Sequence, residues 1–271
     1  MKNTLCIIII LMLSILVGCT SDFKIDENVV KDFSNKITET VVNKLDKEKA
    51  EKKENHSIDA SNINELKIEN SVGDITITVA DVEKAKIDVN IAAYATNKDD
   101  AEKLIEEYTY TIESKWNTIN IDTTKFAEIK DNEFTVDLNI NIPKSIEDIS
   151  IINNVGDINI DNMEGKIIIK SNVGDISINN SKSSYDINND VGKININNCT
   201  FIGKSELKIN TGDAKITASN ISEAKNITAE VNVGNISVLL PENSSYNADI
   251  NEFLENQRNV VNGYGKTNIK L

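Results

Sequence analysis

Ser171-Asn172-Val173-Gly174-Asp175-Ile176-Ser177-Ile178 holds the plan of this chain. After the glycine, Ile-x-Ile alternates with period two, which puts both isoleucines on one side of a strand. Before it, Ile167-Ile168-Ile169 starts a second alternation. Gly174 permits positive φ at the bend between them, and a neighbouring Asn or Asp can bond to nearby backbone. The unit is strand, turn, strand.

The phrase recurs. Close copies are Asn70-Ser71-Val72-Gly73-Asp74-Ile75-Thr76-Ile77, Asn153-Asn154-Val155-Gly156-Asp157-Ile158-Asn159-Ile160 and Asn189-Asp190-Val191-Gly192-Lys193-Ile194-Asn195-Ile196. Looser ones surround Gly212 and Gly234. From Gly156 the glycines step by 18, 18, 20 and 22 residues. One such unit cannot bury its apolar face alone, whereas stacked copies line up equivalent isoleucines about 4.8 Å apart. The expected fold is all-β: a β-solenoid of stacked strand repeats of 18–22 residues spanning 57–271.

Residues 79–148 interrupt the array with a β-α-β-β-β pattern. Ile87-Asp88-Val89-Asn90-Ile91 reads as a strand. Asn97 can cap a helix with Asp99 and Asp100 in its first turn and Ala101, Leu104, Ile105 and Tyr108 on one face. Strands follow at 108–113 and 118–122. Phe134, Val136, Leu138, Ile140 and Ile142 alternate up to Pro143, which must end the ladder. This insertion is expected to form a twisted sheet that shields an open edge at one end of the array.

Upstream, Lys2 and the apolar run Leu5–Val17 form a signal peptide over residues 1–18. The run is too short for a hydrocarbon core that needs about 20 helical residues. It ends in Leu16-Val17-Gly18-Cys19, which resembles a bacterial lipobox. That resemblance implies diacylglycerol on Cys19 after cleavage behind Gly18, and so an extracytoplasmic protein held to a bacterial membrane. Residues 19–56 read as a charged tether, helical along the stripe Val30, Phe33, Ile37, Val41 and Leu45, or else disordered.

The order of parts resembles the bacterial "putative adhesin" β-strand-repeat family, the toastrack type, a domain of unknown biochemical function. The carrying residues are the Val-Gly-Asp-Ile-x-Ile repeats, the strand Thr135–Pro143 before them and Val238-Leu239-Leu240-Pro241 after them, within roughly residues 64–271. The resemblance implies an envelope protein, some members of the family being linked to stress sensing, with no catalytic residues.

Inventory narrows the chemistry. The formal charge of −14 lacks the basic footprint of a nucleic-acid binder. His56 is the only histidine and falls in the tether segment, so a Ser-His-Asp triad or His-based zinc site is absent from the array. Arg258 is the only arginine, unlike the basic sites of β-helical polysaccharide lyases. Cys199, the sole thiol beyond the lipid site, reads as a small apolar filler.

Two columns follow from stacking. Asp157, Asp175, Lys193, Asp213 and Asn235 come just after the glycines, and Asn154, Asn172, Asp190, Asn210 and Asn232 come two residues before them. Stacking sets Asp157 and Asp175 about 5 Å apart, near the separation in retaining glycosidases. A glycosidase also needs sugar-stacking aromatics, and Trp116 is the only tryptophan. The Asp column therefore reads as exposed turn residues, with Lys193 relieving repulsion, and the Asn column as a structural ladder. The calcium-binding Gly-Gly-x-Gly-x-Asp repeat is missing, so neither metal nor cofactor is expected.

The functional expectation is a non-catalytic, lipid-anchored surface module for adhesion, wall contact or envelope sensing. Its partners are the membrane, through lipid on Cys19, and an envelope protein or polysaccharide. The alternatives are a carbohydrate-active enzyme on a β-helix and an accessory subunit of a membrane stress-signalling system.

Overall fold

The computed structural model describes residues 47–124 and 134–242, Ser244, and the backbone of strands over 246–249, 260–262 and 267–270. The signal peptide, Cys19, the apolar stripe from Val30 to Leu45 and Arg258 lie outside the described residues. The chain divides into two units, 1–48 and 49–271, and the strands below belong to the second, the first of them starting at the boundary.

The central repeats have the expected plan. β8 (Asp148–Val155), β10 (Glu164–Val173) and β12 (Lys182–Val191) are long strands, and β9 (Ile158–Asp161) and β11 (Ile176–Asn179) are short ones. A glycine bend joins each long strand to the short strand that follows. Two strands, β13 (Ile194–Thr211) and β14 (Ala214–Val233), run on from a short segment into a long one. β15 (Ile236–Leu239) follows. The longer glycine steps fall in β13 and β14, where the β13–β14 pairing shifts register repeatedly between Asn197 and Lys204. Extra residues are thus absorbed as bulges, and register returns before the next glycine.

Two parallel ladders result. In the long ladder Ile149 pairs with Ile167 and Ile167 with Tyr185. In the short ladder Ile158, Ile176, Ile194 and Ala214 lie in register. All these residues are buried, so both ladders turn one face into a single core. Where Ser205 stands beside Tyr185 in the inner column, Phe201 fills the space and packs on the Tyr185 ring at 4.8 Å.

Stacking order differs from chain order. β2 (Glu65–Val72) and β3 (Ile75–Ala80) make the first repeat. β2 pairs with β8 on one side and with β6 (Thr118–Asp122) on the other. β3 likewise pairs with β9 and with β7 (Phe134–Pro143). The insertion therefore supplies a rung of its own beyond the first repeat. Both ladders then end in antiparallel strands, β4 (Lys84–Ala95) on β7 and β5 (Thr111–Lys115) on β6. The helix α1 (Lys98–Glu107) packs on β4 with Ala101, Leu104 and Ile105 buried and Asn97 as its N-cap, accepting from the Asp100 N–H.

Two sequence expectations need correction. The stretch 48–56 is not helical tether: β1 (Glu48–Asp59) is an extended strand paired with β4. Its Lys/Glu-rich composition suits an edge strand, where charge opposes further pairing, and Ala50, Glu54, His56 and Ile58 are its less exposed positions. The strand expected at 108–113 begins at Thr111, because Tyr108 is the buried C-cap of α1, its hydroxyl donating to the Thr123 carbonyl at 2.8 Å.

Candidate functional site

At the glycine bends the rungs nest. Gly156 has φ of 135°, and a Cβ there would lie 2.1 Å from the carbonyl oxygen of Gly73; Gly174 meets Gly156 the same way. Close approach and backbone conformation both require glycine.

That nesting gives the Asp column a task. The Asp157 N–H donates to Asp74 Oδ1, the Asp175 N–H to Asp157 Oδ1 and the Lys193 N–H to Asp175 Oδ1, each at 2.8 Å. Asp137 receives the Asp74 N–H, and Asp213 receives that of Asn235. These carboxylates are rung-to-rung acceptors rather than idle turn residues. Lys193 lies between Asp175 and Asp213 in the register. Crowding by adjacent rungs desolvates Asp157, and with the charges of Asp74 and Asp175 this raises its pKa, although the bond from Asp175 works the other way.

The exposed Asn column is a ladder, as expected. Asn172 donates to Asn154 at 3.4 Å, Asn210 to Asp190 at 2.7 Å and Asn232 to Asn210 at 2.9 Å. Sequence reasoning missed a second column one residue earlier, facing inward: Asn70, Asn153, Ser171 and Asn189, all buried. The Asn153 amide donates to the Gly73 and Gly156 carbonyls, closing two successive bends at once. It also missed the other corner of the coil, where Asn162, Asn180 and Asn198 take positive φ near 50–62°. Asn198 donates to Asn180 there at 2.8 Å.

The remaining candidates are structural. Cys199 is buried, its Sγ lying 3.2 Å from the Asn197 carbonyl and 3.4 Å from the Ser181 N–H, and burial raises its pKa. His56 belongs to β1, where Nε2 sits 2.7 Å from the Tyr110 hydroxyl, which also donates to Glu54. The Lys52 ammonium bonded to Glu54, and then Tyr110, hold that carboxyl below its usual range. Trp116 is 87 % exposed at the β5–β6 hairpin tip. Among the described residues no three His, Cys, Asp or Glu side chains converge as metal ligands would.

What the array offers to solvent is two sheet faces. On the short ladder the outward positions form two columns. One runs Asn139, Thr76, Asn159, Ser177, Asn195, Lys215, Ser237, and the other Asn141, Thr78, Asp161, Asn179, Asn197, Thr217, Leu239. Only Asp161 and Lys215 carry charge. The matching columns of the long ladder hold eight charged residues: Lys67, Glu69, Asp122, Lys170, Asp186, Glu206, Lys208 and Glu230.

The model of the family Toastrack DUF4097 matches residues 118–252. That segment is a toastrack domain. Its match begins at the first residue of β6, yet register carries the toastrack array further back, since β2 and β3 sit between matched strands on both sides. Among solved structures, the chain is similar to a "putative cell adhesion protein" of Clostridium sporogenes, at 15% identity over 70% of this chain and 99% of that one, with a TM-score of 0.40. It is also similar to a "putative adhesin" of Bacteroides fragilis, at 16% identity over 81% and 96% of the two chains, with a TM-score of 0.43. No curated protein matches.

Proposed function

We propose that the protein is a non-catalytic binding module, lipid-anchored through Cys19 outside a bacterial cell, acting through its toastrack array in adhesion, wall contact or envelope sensing. The supporting observation is the short-ladder face, on which register repeats neutral polar side chains rung after rung, while beneath the bends the Asn153 amide serves the backbone. Repetition of this kind suits a partner that is itself extended or repetitive, because many weak contacts made together reinforce one another. The rival reading, a glycosidase, needs two carboxylates free to act on a sugar, and Asp157 and Asp175 each hold a neighbouring backbone N–H.

Incubating the full chain with isolated walls, intact cells and their polysaccharides separates the two. The expected result is saturable retention without new reducing ends. Reducing ends that co-purify with the protein and disappear in Asp157→Asn would establish the enzyme, and no retention on any of these materials would end the binding reading.

A further inference from the structure

We infer that the short-ladder face is a docking surface for an extended, uncharged polysaccharide lying along the stacking direction; this rests on the binding-module reading and names the face and the partner class.

Charge is the first argument. The chain carries a net −14, with 27% charged residues, yet seven parallel rungs of this face hold only Asp161 and Lys215 among fourteen outward positions, Lys86 and Asp88 lying beyond them on β4. The long-ladder face of the same rungs carries eight charges. A face that only had to stay soluble would need no such depletion. The carboxylates of Asp74, Asp157 and Asp175 line the glycine-bend margin of the neutral face, so a polyanion approaching it is repelled.

Hydrogen-bonding capacity is the second. Asn side chains at both corners bond to one another between rungs, as Asn154–Asn172 and Asn180–Asn198 do. On the face itself Thr76, Asn159, Ser177, Asn179, Asn195 and Asn197 lie in the same register but make no side-chain hydrogen bond to the protein, and none of them is buried. Each can donate and accept.

Geometry is the third. Rungs repeat at about 4.8 Å, and side chains two residues apart on a strand stand roughly 6.6 Å apart. The result is a two-column grid made mostly of neutral donors and acceptors. An extended β-linked glycan presents hydroxyls on both edges and advances by about one rung spacing per sugar. With no aromatic residue in either column, recognition rests on many hydrogen bonds rather than on ring stacking. Affinity should therefore climb with chain length and be weak for a disaccharide.

The test is affinity electrophoresis of the detergent-solubilised full chain through gels containing hydroxyethyl cellulose or polygalacturonate, with pelleting on insoluble cellulose and chitin. Wild type should be retarded by the neutral glucan, pellet with at least one insoluble glycan and ignore the polyanion. Ser177→Glu/Asn195→Glu should weaken retention at least about tenfold, the scale of losing two contacts and adding charge. Lys170→Glu/Asn188→Glu, on the opposite face, should leave retention unchanged. Ser177→Ala/Asn195→Ala removes the hydrogen bonds without charge and should give an intermediate loss at unchanged melting temperature, which keeps the test valid if the acidic pair disturbs folding. Retention that survives both short-face pairs, or no retention on any neutral glycan, overturns the assignment. If walls or cells still capture the wild type in that case, the binding-module reading stands and only this face and partner fall.

Discussion

Lys193 interrupts the line of bend carboxylates: a lysine has no oxygen to offer the Asp213 N–H, whereas Asp175 and Asp213 each accept from the residue that follows them in the stack. Lys193→Asn should restore an acceptor without charge and raise stability by about 1 kcal/mol, the net value of a typical hydrogen bond. Lys193→Asp gains the same bond but adds an acid between two others, so it should fall below the Asn variant at low salt and approach it at high salt. Equal denaturation midpoints for wild type and Lys193→Asn would show that the missing acceptor has no energetic consequence. Asp157 gives a prediction with a sign. Its pKa is raised in the folded state, so the folded chain holds the proton more tightly than the unfolded chain does. Stability from this group therefore rises as pH falls through the raised value towards the unfolded value of about 3.9. Asp157→Asn, which keeps the Oδ1 acceptor, should raise the midpoint at pH 7 and lose that advantage by about pH 3. A gain of the same size at both pH values would mean that charge is not its source. Inside the ladder, Ile176 is fully buried, and Ile176→Ala should cost about 2–5 kcal/mol. Ser177→Ala, on the outer face, should stay within about 0.5 kcal/mol. Similar losses for both would contradict the alternation.

Among the elements, β1 shows where sequence reading stops. In α1 the cap Asn97 and the buried Ala101, Leu104 and Ile105 state their period plainly, and β7 alternates without a break. β1 has no such pattern: Lys and Glu fill both faces because an edge strand meets the core on one side only, and Ala50 is its one buried position. What fixes it is tertiary, a contact of Glu54 and His56 with Tyr110 that no local pattern announces. Tyr110→Phe should cost about 1 kcal/mol and speed amide exchange in β1, while exchange in β10 and β12 stays slow. Unchanged exchange in β1 would show that the strand is held by its pairing with β4 alone. The inward Asn column was legible in principle, since Ile149 and Ile151 facing the core require Asn153 to do so. What masks it is its place three residues before a glycine, where asparagine equally suits a turn. The αL asparagines at the other corner left a trace as well, recurring every 18 residues at Asn162, Asn180 and Asn198.

For the whole molecule, the anchor and the array make separable predictions. Cys19→Ala should leave the protein in the secretory fraction or as unprocessed precursor. Membrane retention equal to wild type, with ordinary signal cleavage, would remove the lipid from the proposal. The place of the first repeat between the insertion rung and β8/β9 has a further consequence, for the order in which the chain can fold. The bond from the Asp157 N–H to Asp74 spans 83 residues, whereas that from Asp175 to Asp157 spans 18. Closing the longer loop costs roughly 1.3 kcal/mol more in chain entropy, whereas β8 to β14 can stack through the shorter steps without it. Folding should thus start among the rungs 18–22 residues apart and finish with a slower step that docks β2 and β3 on β8 and β9. A chain emerging N-terminus first would hold β2 and β3 unpaired on one side until β8 and β9 were delivered.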